Sequence, residues 1–212
     1  MSGNCQKPEL QIKAMKFISK IILKLLGWKL DNNQAPKALF DKSVIICAPH
    51  TSNWDYVFAL LIMNILGINA KYAIKKEALR FPLGFFIRWM GGIGIDRTPK
   101  EAGQERKSTV KAIAELFEQH EQLSVLIAAE GSRSLRKEWK TGFYYIALEA
   151  KVPIILGYLN YEIKEGGFGT VFYPTGDIEK DMLEIMHFFS DKKPKNPEQF
   201  SLDVRYYNKD EQ

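Results

Sequence analysis

Cysteine and histidine are scarce in this chain, at two and three of 212 residues. Cys5 lies in a polar N-terminal tail and Cys47 inside the apolar run 44–48, a placement that argues against a disulfide framework and for a reducing compartment. No stretch of roughly 20 uninterrupted apolar residues exists. The longest candidate, 56–68, is short and holds Asn64, so no bilayer span is expected. Lysines interrupt the apolar stretch near the N-terminus, and no small-residue cleavage site follows it, so no secretory signal is expected either. The chain lacks the Gly-x-Ser-x-Gly elbow of a serine hydrolase, the Gly-x-x-x-x-Gly-Lys phosphate loop, internal repeats and low-complexity segments. His120 and His187 fall near predicted helix ends without partners at metal-ligand spacing, so no metal site is expected.

What is present is an ordinary folded composition, 46% apolar and 26% charged, on a length suited to a single α/β domain. The net charge of +5 and pI near 9.0 favour anionic partners: nucleic acid, acidic lipid headgroups or phosphorylated small molecules. Much of that charge is organised. Across 12–30, Met15, Ile18, Ile21, Ile22, Leu25 and Leu26 recur at helical spacing, with Lys13, Lys16, Lys20 and Lys24 opposite. Such a basic amphipathic helix either lies in a membrane interface, with Trp28 near the boundary, or packs on the domain with its lysines in water. With the charge concentrated there and no recognition motif present, nucleic acid is not expected as a partner.

Beyond residue 42, short apolar runs alternate with longer helical stretches, which predicts a mixed, mostly parallel sheet flanked by helices. Strands are expected at 44–48, 70–74, 92–95, 123–128, 152–158 and 170–173, and helices at 54–66, 77–90, 102–119, 143–150 and 179–189. From Asp191 onward the lysine- and proline-containing tail, 191–212, reads as weakly structured.

Two turns carry chemistry. Pro49 ends the first strand, and His50-Thr51-Ser52-Asn53-Trp54-Asp55 follows it into a helix start, at the carboxyl end of a strand where open α/β sheets gather ligands. A histidine can take a proton from a hydroxyl, and a carboxylate on its other ring nitrogen fixes the tautomer. Asp55 is near enough to be that carboxylate, although Ser52-x-x-Asp55 is also a capping box. The second turn, Glu130-Gly131-Ser132-Arg133-Ser134, follows the strand 123–128. Gly131 permits a tight turn, Ser132 offers a hydroxyl and Arg133 a planar fork suited to phosphate; the alternative is a loop closed by a Glu130–Arg133 salt bridge. Arg97 closes a third strand end, and Lys75 and Lys76 read as a solvated pair. Cys47 reads as a buried thiol rather than a nucleophile.

His50 to Asp55 resembles the His-x-x-x-x-Asp motif of the glycerophospholipid acyltransferase family. Gly92 to Arg97 resembles the family's second motif, Glu130 to Ser134 its Glu-Gly-Thr-Arg-Ser motif, and Val152-Pro153-Ile154 its fourth. Ala129 and Gly94 depart from the family pattern, and Gly94 bears on which acceptor fits. The resemblance implies an acyltransferase domain over 32–190, after a tail and membrane-interface helix at 1–31. His50 and Asp55 would be catalytic, and Arg97, Glu130, Gly131, Ser132 and Arg133 would bind the phosphorylated acceptor. The implied reaction moves a fatty acyl group from acyl-CoA or acyl carrier protein to a lysophospholipid such as 1-acylglycerol-3-phosphate, with no other cofactor. The implied setting is peripheral, against anionic lipid on the cytoplasmic face of a membrane. A thioester hydrolase or a non-catalytic lipid-binding protein would share the same features.

Overall fold

A computed structural model describes residues 9–75, 92–95 and 108–207 of the chain. The predicted helix 77–90, the start of the one at 102–119, and Arg97 lie outside them. The architecture is the expected one: a mixed, mostly parallel sheet with helices on both faces. Its strands are β1 (Lys29–Leu30), β2 (Lys42–Cys47), β3 (Ala70–Lys75), β4 (Gly92–Ile95), β5 (Leu123–Ala128), β6 (Ile154–Asn160) and β7 (Glu165–Phe172). They lie in the order β1-β7-β6-β2-β5-β3-β4, and all neighbours are parallel except the β6–β7 hairpin. Helices α1 (Glu9–Leu25), α2 (Asn53–Leu66), α3 (Thr109–Gln119), α4 (Gly142–Ala150) and α5 (Ile178–Phe189) supply the described covering layers.

The period-2 alternation of a strand divides the core in two. Val44 and Ile46 of β2, with Ile154 and Leu156 of β6, face α3, α4 and α5, where Phe117, Phe143, Tyr144, Met182 and Phe189 are buried. Ile45 and Ile155 face the other way, toward Phe58, Ile62 and Met63 of α2. Because β2 and β6 are covered on both faces, they read as continuous apolar runs.

Strand β7 is longer than the predicted 170–173. Its first half is rich in glycine and so resembles a loop in sequence. The reason is close packing, since a Cβ on Gly169 would come within 2.0 Å of the Asn33 carbonyl oxygen. The absent side chains let residues 31–35 run against the strand, with Asp31 and Ala35 donating to Gly166 and Phe168 carbonyls at 3.0 and 2.9 Å.

The N-terminal helix is shorter than expected from 12–30. Gly27 adopts φ 75, and the Gly27 and Trp28 amides close back on Lys24 and Leu23 at 3.1 and 2.9 Å, the geometry of a Schellman stop. Trp28 is therefore not at a membrane boundary. It is 7% exposed and stacks on Phe58 with ring centroids 4.3 Å apart. Before that stop, Ser19 and Leu23 are buried, whereas Phe17, Ile18, Ile21, Ile22 and Leu25 stay exposed. The helix thus packs by a narrow stripe and leaves most of its apolar arc uncovered. Among the described residues no helix is long and apolar enough to cross a membrane.

Residues 191–207, read from the sequence as weakly structured, hold little regular structure but belong to the core. Phe200, Leu202, Tyr206 and Tyr207 pack against the α3–α5 side. Asp203, fully buried, accepts from the Trp139 amide at 2.9 Å and from Arg205 Nη2 at 2.7 Å. Arg205 Nη2 also donates to the Trp139 carbonyl at 2.7 Å. Asp203→Ala should strand these donors and lower the unfolding free energy by about 2–3 kcal/mol in urea, without changing the denaturant slope; an unaltered midpoint would separate the segment from the fold.

Candidate active site

Strand β2 runs into Ala48-Pro49, joined by a cis peptide bond, and the chain then turns through His50 and Thr51 to Ser52, the N-cap of α2. The capping box forms. Ser52 Oγ accepts the Trp54 amide at 3.2 Å, and Asp55 Oδ2 accepts the Ser52 amide at 2.8 Å. The same Oδ2 accepts the Thr51 amide at 2.7 Å and faces His50 Nδ1 at 3.3 Å. Capping and partnering histidine are therefore not alternatives, since one carboxylate does both. Burial by itself raises the Asp55 carboxyl, but bonds from His50, Tyr161, Ser52 and Thr51 outweigh it and hold the group below the ordinary carboxylate range. An ionised Asp55 on Nδ1 leaves His50 Nε2 as the nitrogen free to take a proton.

Glu130 turns inward. It is 1% exposed, and its Oε1 accepts the His50 amide at 2.6 Å, so the loop after β5 braces the loop after β2. Oε2 is buried without a partner among the described residues. Burial, opposed by the His50 amide and reinforced by the charge of Asp55, pushes the Glu130 carboxyl up to about 8.

Arg133 and Glu130 turn apart, and no salt bridge joins them. Arg133 is exposed and donates through Nη1 to Asn53 Oδ1 at the start of α2. Gly131 sits at φ 72, and a Cβ there would lie 2.6 Å from the Lys140 side chain, whose stem crosses it. Ser132 Oγ turns into its own loop, donating to the Ser134 carbonyl at 3.1 Å and accepting from Arg136 Nε at 3.2 Å. Pro153 of the fourth motif has a structural part, its carbonyl accepting the Val44 amide at 2.9 Å beside β2.

His50 and Asp55 open on a cavity of about 710 Å³. Gly131 and Lys140 share its wall with them, and Ile62, Ile113, Ile127, Phe143 and Ile146 make much of the rest apolar. Cys47 also lines it, but burial and then the charge of Asp55 push its thiol up to about 12, so it stays protonated, as expected of a thiol that is no nucleophile.

Four contributors went unseen in the sequence. Tyr161 donates to Asp55 Oδ1 at 2.6 Å. Asn196 donates to Thr51 Oγ1 at 3.2 Å from its amide and to the Thr51 carbonyl at 2.8 Å from Nδ2. Gln199, in the amide orientation that satisfies both its atoms, donates to the carbonyls of Thr51 and Arg133 at 2.9 and 3.0 Å. Lys140 is the fourth. The partners of Tyr161 and Asn196 lie 106 and 145 positions away, beyond any local pattern. The apolar residues 200–207 were the available sign that this tail returns to the core.

A histidine–aspartate pair thus stands at a strand end, beside a cavity with a mostly apolar wall. The sequence model of the acyltransferase family matches residues 29–156, which include both of these residues and the Glu130 loop. The chain belongs to that family. No curated protein gives a significant sequence match. Among solved structures, the 1-acyl-sn-glycerophosphate (LPA) acyltransferase PlsC from Thermotoga maritima is similar at 13% identity and a TM-score of 0.49, over 84% of this chain and 78% of that one.

The Glu130 geometry has a pH signature. Its carboxyl is raised from 4.5 to about 8 in the folded state, so between those values the folded protein keeps a proton that the unfolded chain has lost, and this contribution to stability falls as pH rises. Glu130→Gln keeps an acceptor for the His50 amide and removes the titration. The variant should gain stability relative to the parent between about pH 4.5 and about pH 8 in urea unfolding; a constant difference would show that Glu130 is ionised throughout.

Proposed function

We propose that this acyltransferase moves a fatty acyl group from acyl-CoA or acyl carrier protein to the hydroxyl of a lysophospholipid such as 1-acylglycerol-3-phosphate. The observation that carries the reading is the His50–Asp55 pair opening on a mostly apolar cavity, within a chain of the acyltransferase family. A cavity of about 710 Å³ lies in the range of small-ligand sites and offers an acyl chain an apolar wall. Lys140 lines it, and Arg133, exposed two residues past Gly131, adds a second cation for an anionic headgroup.

In the proposed step His50 Nε2 takes the hydroxyl proton as the acceptor oxygen attacks the thioester carbonyl. The new C–O bond forms, the C–S bond breaks, and the proton passes from His50 to the departing thiolate. No covalent acyl-enzyme is required, in keeping with a Cys47 thiol that stays protonated. A thioester hydrolase would use the same pair on water, and the product separates the two. Incubated with membrane extract and a radiolabelled acyl donor, the wild type should yield labelled phospholipid, and His50→Ala should yield none while keeping its unfolding midpoint. Labelled free fatty acid alone would replace the transferase with the hydrolase.

The setting that fits is a membrane surface, reached through α1. Phe17, Ile21 and Leu25 are 65%, 42% and 81% exposed, an uncovered arc bordered by the lysines. Near anionic lipid each lysine adds about 1 kcal/mol, screened by salt, whereas apolar insertion is not screened. High salt should therefore weaken vesicle binding without ending it. Since Ile18, Ile22 and Leu25 are solvent-facing, changing all three to glutamate should abolish sedimentation with anionic vesicles and leave the unfolding midpoint in place; undiminished sedimentation would move membrane contact elsewhere.

A further inference from the structure

The two oxygens of Asp55 are served unequally. Oδ2 takes the Thr51 and Ser52 amides and faces His50, whereas Oδ1 is met by Tyr161. Tyr161 occupies the turn between β6 and β7 and reaches α2 from the neighbouring hairpin. Its position is fixed on several sides. The ring stands edge-on to Trp28, with centroids 4.9 Å apart at 90°, and to Phe58 at 6.1 Å and 81°. Its amide donates to the Lys193 carbonyl at 2.9 Å. The hydroxyl is therefore aimed rather than adventitious, and burial followed by the Asp55 bond pushes it far above the ordinary tyrosine range, so it stays a donor.

We propose that Tyr161 is a positioning residue for acyl transfer, holding the Asp55 carboxylate so that Oδ2 faces His50 Nδ1 and extending the pair to a Tyr161–Asp55–His50 chain. This rests on the reading of His50 as the general base. The physical need is plain: Asp55 is 5% exposed, and a buried charged oxygen without a donor is costly. Left alone, the carboxylate would turn to share its remaining donors or take up a proton, and either change loosens its hold on the imidazole. The other titratable groups that act on Asp55 cannot substitute. Glu130 and Cys47 face it only through charge, and Glu130 Oε1 is committed to the His50 amide.

The test is Tyr161→Phe, which removes the hydroxyl and keeps the ring against Trp28 and Phe58. The kcat should fall about tenfold, the scale of one hydrogen bond to a charged group, with the KM values of donor and acceptor unchanged. The acidic limb of the kcat/KM profile should move to higher pH, because a carboxylate with one donor fewer takes up a proton more readily. The His50 Nδ1–H proton resonance should shift in the resting protein. That last readout needs no turnover. A shifted resonance in a protein that transfers no acyl group would sink the transferase reading and leave the Tyr161 linkage standing. An unmoved resonance, with parental kcat and pH profile, would reduce Tyr161 to a packing residue.

Discussion

The Asp55 carboxylate is the interaction on which the site's other features depend. It closes the first turn of α2, receives the two amides of the turn before it, faces the histidine and accepts the hydroxyl from the β6–β7 hairpin. A charge this deeply buried is tolerated because every oxygen has donors. The same donors make the loop from His50 to Asp55 rigid, since moving it would leave the charge unpaired. Stability and geometry are here one constraint.

The sheet decides where such a group can sit. Neighbours β2 and β5 are parallel and in register from Lys42 opposite Leu123 to Cys47 opposite Ala128. Their carboxyl ends thus release two loops side by side. One carries His50 and the other Glu130, and the 2.6 Å bond between them fixes the distance. The hairpin that follows β6 is the antiparallel pair, and its reversal brings Tyr161 back toward α2. On the same side Trp28, just past α1, packs on both Phe58 and Tyr161. The position of the exposed N-terminal helix and that of the Asp55 carboxylate are therefore joined through two aromatic contacts.

Much of this was legible in the sequence where the information is local. Strands β4 and β5 fall on the expected residues, because short apolar runs between helical stretches mark the strands of such a sheet. Ser52-x-x-Asp55 announced a helix start and a partner for His50, though not that one carboxylate would serve both. What was not legible depends on distant packing. Glycines 167 and 169 resemble a loop in sequence because the residues that need their missing side chains, Asp31, Asn33 and Gln34, lie far back in the chain. The inward turn of Glu130 was hidden because nothing nearby reveals that its partner is a backbone amide 80 positions away. Trp28 looked interfacial because the pattern of α1 continues past the glycine that stops it.

The segment 191–207 has a consequence for the order of synthesis. The loops holding His50 and Arg133 leave the ribosome well before Asn196 and Gln199, whose side chains tie both loops down. Until those residues emerge and fold back, the turns carrying His50 and Arg133 lack the donors that brace them. Segment 191–207 is thus a late-made latch: it ties down the turns that hold His50 and Arg133 after the strands that position them have been synthesised.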